Sequence, residues 1–510
     1  VHTLTAVIDI TLVEDGSMVE GLFLMAYIAT ILLVSLFSMR KVKGMNEYLL
    51  GNRSVNPWMS AFSYGTAYFS AVLFIGYAGK TGWSFGLSGL WVAVGNTVIG
   101  SLLAWLVLGK RTREMTQRLG VSTMPGFIGI RYNSKALKIA SALIIFVFLV
   151  PYSASVYMGL SYLFEQVFHI HYTVIMVIMA LFTALYLFIG GFLAATIMDF
   201  IQGIIMIVGT VLMVWFVIGS KEVGGLASLF TSLKAIDPRL IAPVGPGGFL
   251  PLLSLVILTS LGTWGLPQMI HKFYTVKSGT AMKAATIVST IFAFLISGGV
   301  YFIGSTSRVF FPDNMPMLAG VPNPDLIIPQ IISSTLPEVV LAVIMVLVLA
   351  ASMSTLASIV MASASAVAVD IIQDTLASKK VSPKGIVLIM RLLCVAFVAC
   401  SLLLALVPNP IVSLMSLSWG AVAGSLLAPY LYGLYWKKTT KAGVWAGIAT
   451  ALGTTLVGAL YAGLSSPLIT VFSAASIVAP IVVVPAVSLV SAALPQQHVK
   501  MIYDTIEEIA

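Results

Sequence analysis

The feature that most limits this chain is a recurring one: apolar runs of about 20 residues, the length an α-helix needs to cross a bilayer. Bounded by charged or Gly/Pro-rich breaks, they fall at residues 20–39, 57–78, 84–109, 137–167, 172–190, 192–219, 249–270, 284–304, 338–371, 386–407, 411–436, 443–463 and 467–494. The pattern predicts an all-α polytopic membrane protein with about 13 transmembrane helices. With 59% of the 510 residues hydrophobic and 9% charged, no room is left for a large soluble domain. Function must reside among the helices.

Basic residues orient the bundle. If residue 1 starts outside, the inside segments "MRKVKG", "GKRTREMTQR", "RYNSKALK", "HKFYTVKSGTAMK", "ASKKVSPKG" and "KKTTKAG" lie on one side. Of the 27 Lys and Arg, only Lys80, Lys221, Lys234, Arg239 and Arg308 then fall outside. This asymmetry predicts an N-terminus outside and a C-terminus inside a cell membrane. The spread of charge over many short loops, with no stripe or arm, excludes nucleic acid as the partner. The expected partners are a small solute and membrane lipid, with a monomer as the unit. Cys394 and Cys400 are six apart in one run, point to different faces, and read as small core residues. The first 17 residues, "VHTLTAVIDITLVEDGS", lack the basic start of a signal peptide and read either as an extension or as a remnant foreign to a natural chain that starts at Met18. Two longer outside loops, 220–248 and 305–337, are rich in Gly and Pro and read either as covers of a vestibule or as plain connectors.

Two crossings carry breaks. The second holds Ser63, Gly65, Thr66 and Ser70 at its middle, and the seventh holds Gly262, Gly265 and Pro267. Pro267 removes a backbone donor and crowds the carbonyl one turn back, so carbonyls near residue 263 need other partners. Either break alone reads as a kink. The two lie five crossings apart, so each opens a five-helix unit, and an odd number of crossings gives the units opposite orientation. Matching breaks in inverted halves point to a transporter's binding site. In the ninth crossing Ala351, Ser354, Thr355 and Ser358 line one stripe at helical spacing. Hydroxyls and carbonyls suit a hard cation such as sodium, which takes about five or six oxygens. Hydroxyls also bond back to the i−4 carbonyl or permit close packing, and the residues alone leave both readings open.

The stretches "NEYLLGNRS" (46–54), "ALYLFIGGFLAATIMDFIQG" (184–203), "AASMSTLAS" (350–358) and "SWGAVAGSLLAPYLYGLYWKKTTKAGVWAG" (418–447) resemble the sodium:solute symporter family over residues 20 to 460. Its members carry proline, pantothenate, monocarboxylates, sugars and sialic acid. The resemblance implies a LeuT-like 5+5 inverted repeat with one extra N-terminal helix. Residues 18–45 would form that helix, 46–219 and 249–436 the repeats, 437–494 two C-terminal helices, and 495–510 a cytoplasmic tail. It further implies Na+ as the coupling ion, held by carbonyls of Thr66, Phe69 and Ala351 and by hydroxyls of Ser354 and Thr355. A possible second sodium would use Asp199 and Ser358, although Ala357 stands where a further serine would help. Asp199 has its own argument: an acid inside a membrane helix is costly and faces a cavity or a cation, or else is an interfacial acid bonded to a basic loop.

For the solute, the resemblance nominates Tyr68, Ser70, Tyr152, Thr263, Trp264 and Gln268. Proline carriers have an aspartate in place of Tyr68, and Trp and Tyr in place of Thr259 and Thr263, which argues against high-affinity proline transport. No arginine or lysine is expected mid-membrane near these residues. A carboxylate would then depend on half-helix N-termini. The function expected is sodium-coupled secondary active symport, by alternating access, of a small neutral or carboxylated solute: an amino acid, monocarboxylate or pantothenate-like acid. The alternative is a transporter-like sensor acting through a separate signalling partner. An enzyme is not expected, since His2, His169, His171, His271 and His498 lie at ends and loops and no catalytic constellation surrounds them.

Overall fold

The computed structural model of the chain describes residues 17–39, 55–318, 320–376, 382–407, 409–464, 466 and 468–507. The N-terminal extension up to residue 16 and the motif at 46–54 lie outside the described residues. The labelled helices are α1 (Ser17–Met39), α2 (Pro57–Tyr68), α3 (Lys135–Phe168), α4 (Tyr172–Ile218), α5 (Phe249–Val256), α6 (Pro267–Thr275), α7 (Gly279–Ser305), α8 (Glu338–Ser365), α9 (Pro383–Ala405), α10 (Ile411–Tyr435), α11 (Lys441–Ala462), α12 (Leu468–Val490) and α13 (Gln496–Glu507).

Among the described residues, 11 helices are long and apolar enough to cross a membrane, or 12 if the bent pair Phe249–Gly265 and Pro267–Thr275 forms one span. The sequence pattern predicts about thirteen crossings. The difference lies in the second crossing: α2 has 12 residues, too few to span, and the chain resumes as helix at Val72 within the 47-residue helical stretch Val72–Arg118 that also holds the third. The run α4 contains two spans, Tyr172–Ile189 and Ala194–Ile218.

Burial ranks the helices. In the most apolar stretch of α10, 94% of residues are buried, and in that of α8, 83%, against 22% for α1. So α10 and α8 form the interior, where a polar stripe must find protein partners. α1 is peripheral and turns Leu22, Leu33 and Phe37 outward, as a lipid-facing helix does. The two Gly/Pro-rich loops are folded. Residues 220–248 include a helix, Leu226–Ile236, with its own small core of Val223, Leu229, Leu233 and Leu240. In 305–337 the helix Ile327–Thr335 buries Ile327, Ile328, Ile331 and Ile332, and Asp325 accepts from the Ile411 N–H at 3.2 Å, capping α10.

One end of the bundle is closed by charge. Lys138 at the start of α3 pairs with Asp374 at 2.5 Å and Asp370 at 3.5 Å. Buried Arg131 donates to the Gly433 carbonyl (3.0 Å) and the Trp436 carbonyl (2.9 Å), and Tyr503 of α13 donates to the same Gly433 oxygen at 2.6 Å.

A tight backbone approach, marked by two glycines, joins the helix Ala78–Phe85 to α7. A Cβ on Gly82 would sit 1.6 Å from the Gly304 carbonyl oxygen, and one on Gly304 would sit 2.2 Å from that of Ala78. Backbone cannot yield as a side chain can. Gly82→Ala is therefore expected to lose at least about 1–3 kcal/mol, the usual cost of overpacking, read as a lower thermal midpoint in detergent. Gly453→Ala, in α11 with open space around it, should be close to neutral.

Candidate functional site

The site begins where α2 stops. Asn56 caps its start and Pro57 fills the first turn, but at Phe69 the backbone turns extended (φ −105°, ψ 104°). The next helical turns begin at Val72, whose N–H is taken by Ser70 Oγ at 3.2 Å. A helix that ends leaves its last carbonyls without an intrahelical donor, and in the membrane interior such a group is costly. The Thr66 carbonyl is met by two hydroxyls of α8: Ser354 Oγ at 3.0 Å and Thr355 Oγ1 at 3.2 Å. Ser354 Oγ also lies 3.0 Å from the Ala351 carbonyl oxygen. Four of the five residues expected around sodium thus meet on one seam, and Phe69 supplies the unwound backbone beside them. All are buried. Ser352 instead bonds back to the Val348 carbonyl at 2.6 Å, a packing role.

The second break follows α5 through a π-helical turn (Ile257–Leu261) and a 3₁₀ turn (Gly262–Gly265) to Leu266, which is extended, and Pro267 then opens α6 at a bend of 48°. The 3₁₀ turn takes up the Thr263 carbonyl, which accepts from the Leu266 N–H, so the donor removed by Pro267 leaves no orphan there. Tyr68 donates to the Thr259 carbonyl at 2.8 Å and ties the two breaks together. Of the other solute candidates, Thr263 Oγ1 donates to the Ser260 carbonyl (2.8 Å) and Trp264 Nε1 to the Ile99 carbonyl (2.9 Å). Their polar atoms are engaged within the protein. Around the second break, Tyr152 Oη, both amide atoms of Gln268 and Trp419 Nε1 are among the buried groups with no hydrogen-bond partner. Tyr152 stands edge-on to Trp419 with ring centroids 5.6 Å apart, and Gly262 lies against the Trp419 ring. Sequence reasoning missed Trp419, although it sits in the quoted "SWGAVAG" segment.

A second polar centre lies one turn along the same seam, and it corrects an expectation. Lys272, placed by the sequence in an inside loop, is in α6 and 4% exposed. A cation therefore does lie beside the candidate site. Its Nζ lies 2.8 Å from Ser63 Oγ, 3.1 Å from Ser358 Oγ and 3.3 Å from Asp199 Oδ2, and Ser63 in turn donates to Asp199. Asp199 and Ser358, expected around a second sodium, each contact this ammonium instead. His271 is likewise helical and, with Gln268, Lys272 and Ser358, lines a cavity of about 20 Å³, room for one water. The missed signal was spacing: Gln268 and Lys272 are i and i+4 in the helix that Pro267 opens.

A family model, "Sodium:solute symporter family", matches residues 48–451. The chain belongs to this family: it is a multi-pass membrane transporter and not an enzyme. It is 29% identical over 435 residues, 84% of this chain and 87% of the relative, to the osmoregulated proline transporter OpuE of Bacillus subtilis (strain 168). It is 28% identical over 438 residues, 85% of this chain and 90% of the relative, to the high-affinity proline transporter PutP of the same organism. A solved Na+-coupled sialic acid symporter, in its substrate-bound outward-open state, superposes with TM-score 0.77 at 19% identity, covering 94% of this chain and 99% of that one. That likeness establishes the fold, LeuT-like as the motifs implied.

The Lys272–Asp199 pair is buried on both sides, so removing one partner strands the other's charge. In sodium-free buffer Lys272→Met is expected to cost about 3–5 kcal/mol, and Lys272→Met with Asp199→Asn should recover most of that loss. Equal thermal midpoints for the single and double variants would show that the ion pair is not what holds this part of the bundle.

Proposed function

We propose that the protein is a sodium-coupled symporter that imports a small zwitterionic amino acid of proline's kind. The observation that carries the reading is the Thr66 carbonyl gathered by Ser354 and Thr355 at the end of a broken helix. Both hydroxyls can rotate to turn oxygen lone pairs inward. With the carbonyls of Thr66, Phe69 and Ala351 they make a neutral five-oxygen set suited to sodium. An ion bound there ties α2 to α8. Solute bound between the two breaks then permits closure, and by linkage sodium and solute raise each other's affinity equally. The two five-crossing units, 46–219 and 249–436, supply the rocking parts, with the N-terminus outside and the C-terminus inside.

The relatives' substrate supports a proline-like solute, and so does the chemistry of the open groups. Lys272 is balanced by Asp199, so the pair adds no net charge and favours a net-neutral solute. Tyr152 and Trp419 offer aromatic surface to an apolar ring. Tyr152 Oη and the Gln268 amide offer polar contacts, and the N-terminus of α6 favours a carboxylate. Tyr68, Thr263 and Trp264, whose polar atoms are internally engaged, shape the walls, while Ser70 holds the restart of the broken helix.

In proteoliposomes, an inward sodium gradient should drive uptake of labelled proline or of an amino acid that competes with it. Ser354→Ala with Thr355→Ala should raise half-saturating sodium at least about tenfold, equivalent to roughly 1.4 kcal/mol of lost ion binding. Uptake that runs equally well in potassium, or an unchanged sodium response in the double variant, would sink the ion assignment. Because Tyr152 Oη has no internal partner, Tyr152→Phe should leave the thermal midpoint unchanged and raise the apparent KM for solute. A variant that melts early with an unaltered KM would return Tyr152 to a packing role.

A further inference from the structure

We propose that the Lys272 ammonium is a tethered cation, filling a second cation position on the α2–α8 seam, so that the wild-type protein binds a single sodium ion. The proposal rests on the sodium centre described above and concerns its neighbour. An ammonium has three N–H donors, and three oxygens stand within reach of Nζ: Ser63 Oγ of α2, Ser358 Oγ of α8 and Asp199 Oδ2 of α4. Their distances run from 2.8 to 3.3 Å. The cage is an oxygen set with one negative charge, contributed by three helices and closed around one positive charge from a fourth, α6.

The position is coupled to the first centre through α2 and α8. Ser63 and Thr66 are one turn apart on α2, and Ser354 and Ser358 are one turn apart on α8. The Thr66 carbonyl meets Ser354 and Thr355. Sodium bound beside the Thr66 carbonyl would therefore sit one helical turn from a cation that cannot dissociate. A free ion in that place would add to the coupling stoichiometry with each cycle. A side-chain ammonium supplies the same charge to Asp199 and moves only with α6, the half-helix that follows the second break. The cage lies against the small cavity lined by Gln268, His271 and Ala362, so an ion replacing the ammonium has an adjoining space through which to lose its water.

The test counts sodium ions by equilibrium binding of radioactive sodium to purified, monodisperse protein, with no solute present. Wild type should bind one ion, lost in Ser354→Ala with Thr355→Ala. Lys272→Ala, which empties the cage and leaves Asp199 unpaired, should bind two, and sodium should raise its thermal midpoint more than that of wild type. Adding Asp199→Asn should return the count to one, and Lys272→Arg, which keeps the charge, should stay at one. Lys272→Gln serves as the second neutral variant if Lys272→Ala does not fold. Two ions on wild type, or no additional ion on either neutral variant, would overturn the proposal. Wild type with no sodium at all would instead remove the first centre, and a gain of one ion on Lys272→Ala would still decide the second.

Discussion

The structure depends on a helix that stops inside the membrane. At Phe69 the α2 backbone becomes extended, and the Thr66 carbonyl loses the partner that a continuous helix would give it. Leaving such a group bare in the interior costs several kcal/mol, so a neighbour must supply donors. α8 does so with Ser354 and Thr355, and it can because it is among the most buried spans of the bundle. The polar stripe of α8 is thus explained by the break in α2, and the break is tolerated because of the stripe. A group that satisfies a carbonyl by donating a rotatable hydroxyl can also release it, which makes the seam suited to an exchangeable ion.

The same seam carries a second solution to the same problem. One turn away, Asp199 is buried at the contact of α2, α4 and α8, and its charge is answered by a side chain of α6. The two centres differ in what holds them together. At Thr66 neutral dipoles meet and leave a place for a mobile charge. At Asp199 full charges meet, and the cation is covalently part of the chain. Placing both on helices that flank two breaks means that movement of either half-helix is felt at both, with Tyr68 to Thr259 as a direct link between the breaks.

Much of this was legible in the linear chain. The apolar runs mark the crossings, the Gly and Pro residues mark where two of them fail, and the spacing of Ala351, Ser354, Thr355 and Ser358 puts them on one face. These are local properties, set by helix periodicity and by which backbone groups Pro and Gly alter. The folded state of residues 220–248 and 305–337 was less legible, because their few apolar residues find a core, a small one of their own for 220–248 and the main bundle core for 305–337, only after the chain has turned back on itself.

What the sequence determined by itself is a membrane-spanning helical bundle with two interrupted helices and a polar stripe, because hydropathy and helix geometry act over a few turns. What only the tertiary structure decided is which partners those polar groups take. Lys272 reads as a loop residue in the run "HKFYTVKSGTAMK" because charge near an apolar segment's end signals the water interface. That rule does not count a counter-ion arriving from another helix, 73 residues away in the chain. Asp199 and Lys272 each look too costly to bury alone, and only their meeting makes burial of both affordable.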